Sequence, residues 1–141
     1  DGVLFRTEDR HLVSYPAGLK KADYAVPDGT VSIGERAFYQ CDALESVVLP
    51  DSVTEIGELT LHGCHSLTTL TFGDGLRIVP EIKVSIRNMQ AITLGRGCAY
   101  ISPNAFFFSE DNACTFVVPE GSYAARWASE KAYLHRIATY E

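Results

Sequence analysis

The sequence predicts a short β-rich α/β solenoid, with one parallel strand per ~23-residue unit, on three observations. First, a motif recurs: Val26-Pro27-Asp28-Gly29-Thr30-Val31-Ser32-Ile33-Gly34 is answered by Leu49-Pro50-Asp51-Ser52-Val53-Thr54-Glu55-Ile56-Gly57. Second, anchoring each unit on the Pro27 slot places its equivalents at Pro50, Gly73, Gly95 and Pro119, in steps of 23, 23, 22 and 24. Third, five columns counted from these anchors are almost wholly apolar. Two follow the anchor: Ile33, Ile56, Val79, Ile101 and Phe38, Leu61, Val84, Phe106. Three precede the next one: Lys21, Leu44, Leu67, Met89, Ala113, then Tyr24, Val47, Leu70, Ile92, Phe116, then Val26, Leu49, Phe72, Leu94, Val118. One unit cannot bury five apolar groups alone, whereas stacked units share an interior.

The elements follow in chain order. Residues 3–5 and 12–15 alternate as an antiparallel hairpin does, so residues 1–23 are expected to cap the first unit. Residues 24–118 hold the repeats. In Leu44-x-x-Val47-x-Leu49-Pro50 the period-2 ending marks a strand buried on one face, and Pro50 stops it because proline cannot donate to a ladder. Units running in one direction pair their strands in parallel, about 4.8 Å apart. A second short extended piece ends at the Ile33 column. Glu35 to Cys41 and its counterparts suit short helical turns on the opposite flank.

The third unit is one residue short and places Lys83 and Arg87 where Ala37 and Cys41 stand in the first. A buried unpaired charge is too costly. A local distortion around 80–88 is therefore expected, with Ile86 turning inward. Residues 119–141 are expected to form a helix-plus-strand cap. Ser122 is its N-cap, followed by Tyr123, Ala124, Trp127, Ala128 and Lys131 at helical spacing. Trp127 should cover the last core layer, with Leu134 and Ile137 in a closing strand.

The 141 residues suit one domain. Twelve basic against eighteen acidic side chains give a net charge of −6, a poor balance for nucleic-acid binding. No apolar run reaches the ~18 residues of a membrane-spanning helix, so no membrane insertion is expected. A chain opening at Asp1 without an initiator Met reads as a piece of a longer protein.

The pattern Pro-Asp-x-x-x-x-Ile-Gly-x-x-Ala-Phe-x-x-Cys-x-x-Leu-x-x-Val-x-Leu, carried nearly position by position by residues 24–49, resembles the bacterial BspA-like (Treponema-type) leucine-rich repeat. Residues 50–72 match with Thr60-Leu61 in the Ala-Phe slot, and Ile101 to Phe106 and Phe116 to Pro119 recover the pattern. The resemblance implies a leucine-rich-repeat solenoid in a larger secreted or cell-surface bacterial protein. It also implies attachment to protein ligands, host or extracellular-matrix proteins among them. It is specific to a fold and not to a ligand.

No catalytic, cofactor or metal site emerges. Cys41 and Cys64 are repeat equivalents and read as small core residues. Stacking could bring them within disulfide distance, but the slot needs only a small apolar group, so the thiols are expected to stay unbridged. Cys98 shares a column with Thr30, Val53 and Leu76 and reads as core. Cys114 falls outside the apolar columns and is expected to be the most exposed thiol. His62-Gly63-Cys64-His65 offers metal-ligand types, but a zinc site needs a second convergent pair, and none is present in the pattern. Gly73-Asp74-Gly75 and Gly95-Arg96-Gly97 read as turns using glycine's permissive angles, not as phosphate loops. There is no Gly-x-Ser-x-Gly elbow. Phe107 and Phe108 are surplus aromatics that either extend the core under an irregular loop, the preferred expectation, or form an apolar patch for a partner on the flank shared with Tyr39.

What remains is a surface. Outward positions of the long strands form three columns: Ala22, Glu45, Thr68, Gln90, Cys114; then Asp23, Ser46, Thr69, Ala91, Thr115; then Ala25, Val48, Thr71, Thr93, Val117. The candidate protein-binding face is Asp23, Ala25, Glu45, Ser46, Val48, Thr68, Thr69, Thr71, Gln90, Thr93, Thr115 and Val117. It is flat and weakly polar, without the Trp, Tyr and Arg that usually carry binding energy. The alternative is a monomeric structural spacer that displays another domain and has no ligand of its own.

Overall fold

A computed structural model describes residues 2–109, 113–131 and 135–141. The chain opens with β1 (Leu4–Arg6) and β2 (His11–Ser14), an antiparallel hairpin in which Phe5 faces Leu12. There follow β3 (Asp23–Ala25), β4 (Ser32–Ile33), β5 (Ser46–Val48), β6 (Glu55–Ile56), β7 (Thr69–Thr71) and β8 (Ile78–Val79). Then come β9 (Val84–Ser85), β10 (Ala91–Thr93), β11 (Tyr100–Ile101), β12 (Phe106–Phe107) and β13 (Thr115–Pro119). Helix α1 (Tyr123–Glu130) and β14 (Arg136–Tyr140) complete the described chain.

The chain is a parallel-strand solenoid. Its main sheet has the order β14-β13-β10-β7-β5-β3. The anchor columns survive as rows across it: Tyr24, Val47, Leu70, Ile92, Phe116 and Ile137 lie side by side. Val47, Leu70, Ile92 and Phe116 are fully buried, each such side chain contributing roughly 1.5–3 kcal/mol of transfer free energy. The Ile column forms a second row. Leu12, Ile33 and Ile56 align through β2, β4 and β6, and Val79 aligns with Ile101 through β8 and β11. The hairpin thus supplies the first rung of that row, with β1 reversed along its edge.

The second row is interrupted at Pro80. Gly34, Gly57 and Ser102 each donate their N–H to the preceding rung, at Leu12 O, Ile33 O and Val79 O, all at 2.8 Å. Pro80 occupies the same slot and has no N–H, so β6 and β8 fall in separate sheets. A cleft of about 420 Å³ opens there, lined by Thr54, Glu55, Ile56, Arg77 and Ile78.

The flank opposite the main sheet is distorted where the sequence departs from the pattern. In the first two units it is a run of turns with Arg36 and Leu59 at φ 55° and 53°. In the third, the left-handed residue moves one position on, to Lys83 at φ 54°, and Ile82 turns fully inward. The chain then pairs β9 with β12 and makes a 3₁₀ turn over Ile86–Asn88, burying Ile86. Lys83 reaches Glu81 at 3.0 Å and Arg87 points to solvent, which resolves both charges.

The C-terminal cap closes the far end. The Ser122 hydroxyl accepts from the Ala125 N–H at 3.0 Å, starting α1, whose buried face is Ala124, Trp127 and Ala128. Trp127 packs on Phe116 at 5.2 Å and Phe106 at 6.0 Å between ring centres. Ile137 lies in β14, while Leu134 lies outside the described residues.

Three expectations need correction. Cys114 is fully buried, not exposed, and Ala113 is exposed instead. The 24-residue step shifts the chain by one before β13, so Cys114 continues the alternation of Phe116 and Val118. Of the surplus aromatics, Phe108 packs against Phe116 and Trp127, but Phe107 is 46% exposed. The anchor glycines serve proximity, not unusual backbone angles. A Cβ on Gly75 would lie 2.1 Å from Asp51 O, and one on Gly97 the same distance from Asp74 O, while neither has a positive φ.

Candidate protein-binding face

The outward face follows from the same register that builds the core. In a strand, residues flanking an inward one point out, so each main-sheet strand presents two. Asp23, Ser46, Thr69, Ala91 and Thr115 form one row, and Ala25, Val48, Thr71, Thr93 and Val117 the next. Glu45, Thr68 and Gln90 form a third row at the bends entering the strands. There Glu45 O accepts from the Thr68 N–H at 2.8 Å and the Thr68 hydroxyl at 3.0 Å, and Thr68 O accepts from the Gln90 N–H at 2.7 Å. The ten strand positions share one side of the sheet. Val48, 40% exposed, is its most open large apolar side chain.

The N-terminal end of this face carries a feature that strand spacing alone does not reveal. Val3 and Phe5 of the hairpin approach β3, and with Lys21, Asp23, Tyr24, Ala25 and Pro27 they line a recess of about 340 Å³. Asp23 and Ala25 therefore border both the face and the recess. The only sequence hint is the apolar pair Val3 and Phe5, spaced two apart on a hairpin strand whose partner face is already filled by Leu12.

Carboxylates along one edge are tied into the solenoid. Asp51 Oδ1 accepts from the Asp74 N–H, and Asp74 Oδ1 from the Arg96 N–H, each at 2.8 Å. Hydrogen bonds from the Arg96 main chain and guanidinium hold the Asp74 carboxyl below its ordinary pKa against the opposing effect of burial. Arg96 also bonds Glu141 O and sits 5.1 Å from the Tyr140 ring, strapping the end of β14 to the turns.

The chemistry-bearing side chains are committed elsewhere. His65 Nδ1 lies 2.7 Å from Asp42 Oδ1, holding that carboxyl below its usual range, and the His62 ring lies tilted against Tyr39, 5.6 Å between ring centres. Among the described residues no three His, Cys, Asp or Glu side chains converge as metal ligands. Burial pushes the Cys98 thiol up to about 11 and the Cys114 thiol up to about 12, far from a thiolate at neutral pH. No helix among the described residues is long and apolar enough to cross a membrane.

Comparison with known proteins agrees with this architecture. The pattern of the BspA type leucine rich repeat region matches residues 19–123 in six copies. A leucine rich cell surface protein from Faecalibacterium prausnitzii A2-165 superposes on 93% of the chain with a TM-score of 0.73 at 24% identity. The chain spans 35% of that protein's length. The leucine rich repeat protein of T. pallidum superposes on 96% of this chain and 78% of its own, with a TM-score of 0.55 at 20% identity. At these identities the likeness is one of fold. No curated protein matches the sequence.

Proposed function

The chain belongs to the BspA-type leucine-rich repeat family, and from that premise we propose that it is a non-catalytic protein-binding module of a secreted or cell-surface protein, engaging its ligand through the outward face of the main sheet. The observation that carries this reading is the unbroken register of β3, β5, β7, β10 and β13. It arrays three rows of small side chains on a rigid surface, with Val48 open on β5 and a recess of mixed polarity at its N-terminal edge. Such a surface recognises a flat or extended protein partner by many modest contacts, and host or extracellular-matrix proteins fit the described surface location of the F. prausnitzii relative. Leucine-rich-repeat domains typically mediate protein interactions and typically lack enzymatic activity.

The spacer reading draws support from one feature of the same face: its rows hold no Trp, Tyr or Arg. One experiment separates the two. The protein is passed over immobilised basement-membrane protein extract, beside the variants Asp23→Lys, Glu45→Lys and Val48→Lys and the flank variant Ile78→Lys. A ligand-binding face predicts measurable retention of the parent chain, a loss of at least ~10-fold in affinity for Val48→Lys, and no change for Ile78→Lys. Equal behaviour of all five proteins would favour the spacer.

A further inference from the structure

The two equivalent cysteines of the first and second units occupy stacked positions. Cys41 and Cys64 are 23 residues apart, and the rungs that carry them are joined on either side. Phe38 N–H donates to Thr60 O and Gln40 N–H to His62 O, both at 2.9 Å. Adjacent rungs lie about 4.8 Å apart, inside the Cα separation that a disulfide spans. The Cys64 thiol donates to Phe38 O, 2.9 Å away, and so lies against the turn of the first unit that carries Cys41. The column ends there, because Arg87 replaces the cysteine in the third unit.

Access is unequal. Cys41 is 1% exposed, behind Tyr15 and Tyr39 carbonyls, whereas Cys64 is half-buried. Cys64 lines a recess of about 120 Å³ with His62, His65, Lys83 and Ser85. A small oxidant reaches one sulfur first and the other only through it.

We propose that Cys41 and Cys64 form an oxidisable dithiol that a small-molecule disulfide, such as oxidised glutathione, converts into a rung-to-rung disulfide. The Cys64 sulfur attacks one glutathione sulfur and expels the other as glutathione thiolate, leaving a mixed disulfide on Cys64. Cys41 then attacks the Cys64 sulfur and expels the second glutathione. The protein loses two electrons and two protons, and two glutathione thiols are produced. Interaction with Cys64 holds the Cys41 thiol below its ordinary value against burial, and the same interaction together with burial pushes the Cys64 thiol up, so attack by Cys64 speeds as pH rises. Closure ties the second unit to the first through a loop of 23 residues, independently of whether the strand face binds a ligand.

The test treats the intact protein with excess oxidised glutathione. Expected for the parent chain are an intact mass lower by two hydrogens, a cross-linked Cys41–Cys64 peptide after digestion, and a melting temperature raised by roughly 5–10 °C. Cys41→Ser should accumulate as a stable glutathione adduct on Cys64, and Cys64→Ser should remain unmodified. The parent chain alone decides the matter if a variant fails to fold. Four thiols still alkylated after oxidation and unfolding, a persistent glutathione adduct on the parent chain, or a cross-link between other cysteines would each overturn the proposal.

Discussion

The main-chain N–H of Ile101 donates to the hydroxyl of Tyr123, 3.4 Å away. Ile101 belongs to β11, whose other edge pairs with β8, and its outward N–H would otherwise meet no further rung. Helix α1 thus ends two things at once: Trp127 covers the apolar layer and Tyr123 occupies the open ladder edge beside it. The substitution Tyr123→Phe keeps the ring and removes the acceptor. It should cost about 0.5–1.5 kcal/mol and speed hydrogen exchange at Ile101, leaving Ile92 in the main sheet unchanged. Amide exchange followed by NMR reads both sites.

Gly75 and Gly97 mark where neighbouring turns touch. Because a Cβ at either would sit 2.1 Å from a carbonyl oxygen of the preceding unit, Gly75→Ala and Gly97→Ala must push whole rungs apart. A loss of about 1–3 kcal/mol or more is expected for each. Alanine at Gly18, which has open space around it, serves as the contrasting substitution, with little effect. Urea unfolding midpoints measure the difference.

Pro80 interrupts a hydrogen-bond series that three equivalents complete. Pro80→Ser restores the donor using the residue that Ser102 already supplies in the next unit. The new N–H should bond Ile56 O, narrow the cleft between β6 and β8, and add about 0.5–1.5 kcal/mol, less the entropy that proline withholds from the unfolded chain. A crystal structure of the variant with β6 and β8 still in separate sheets would contradict this.

His135 is buried among Phe116 at 4.7 Å, Phe108 at 5.7 Å and Trp127 at 6.4 Å. Burial, opposed by the nearby Ala128 main chain and helped by the charge of Lys131, lowers its pKa below the ordinary 6.5. The unfolded chain therefore binds the proton more readily. Stability is level above the ordinary value, falls as pH drops through it, and levels again below the depressed one. His135→Phe should abolish that slope while leaving acid losses from Asp42, Asp74 and Glu81, whose carboxyls are held low and titrate further down. Melting temperatures between about pH 7.5 and pH 5 decide it.

Much of this was legible in the residues because the core is periodic. Ile33, Ile56, Val79 and Ile101 had to be buried together once their spacing repeated, and Trp127 had to cover the last layer. The misplacement of Cys114 came from counting columns across a 24-residue step, although the alternation Cys114, Phe116, Val118 in the same stretch already placed it inward. The anchor glycines look alike in sequence whether they serve angle or proximity, and only the position of the preceding unit distinguishes them. Contacts between distant segments left the faintest signal. The approach of Val3 and Phe5 to β3, and the strap from Arg96 to Tyr140 and Glu141, depend on how the caps fold over the repeats. They leave no trace in repeat spacing.

The rows of the main sheet keep their alignment although the steps between anchors vary from 22 to 24 residues. Insertions and deletions are therefore absorbed by the bends and the far flank, where Lys83, Ile86 and Phe107 have been rearranged. A lineage of such chains can gain or shed single codons there while the side chains displayed on the strands stay in their lanes, and so diverge one substitution at a time.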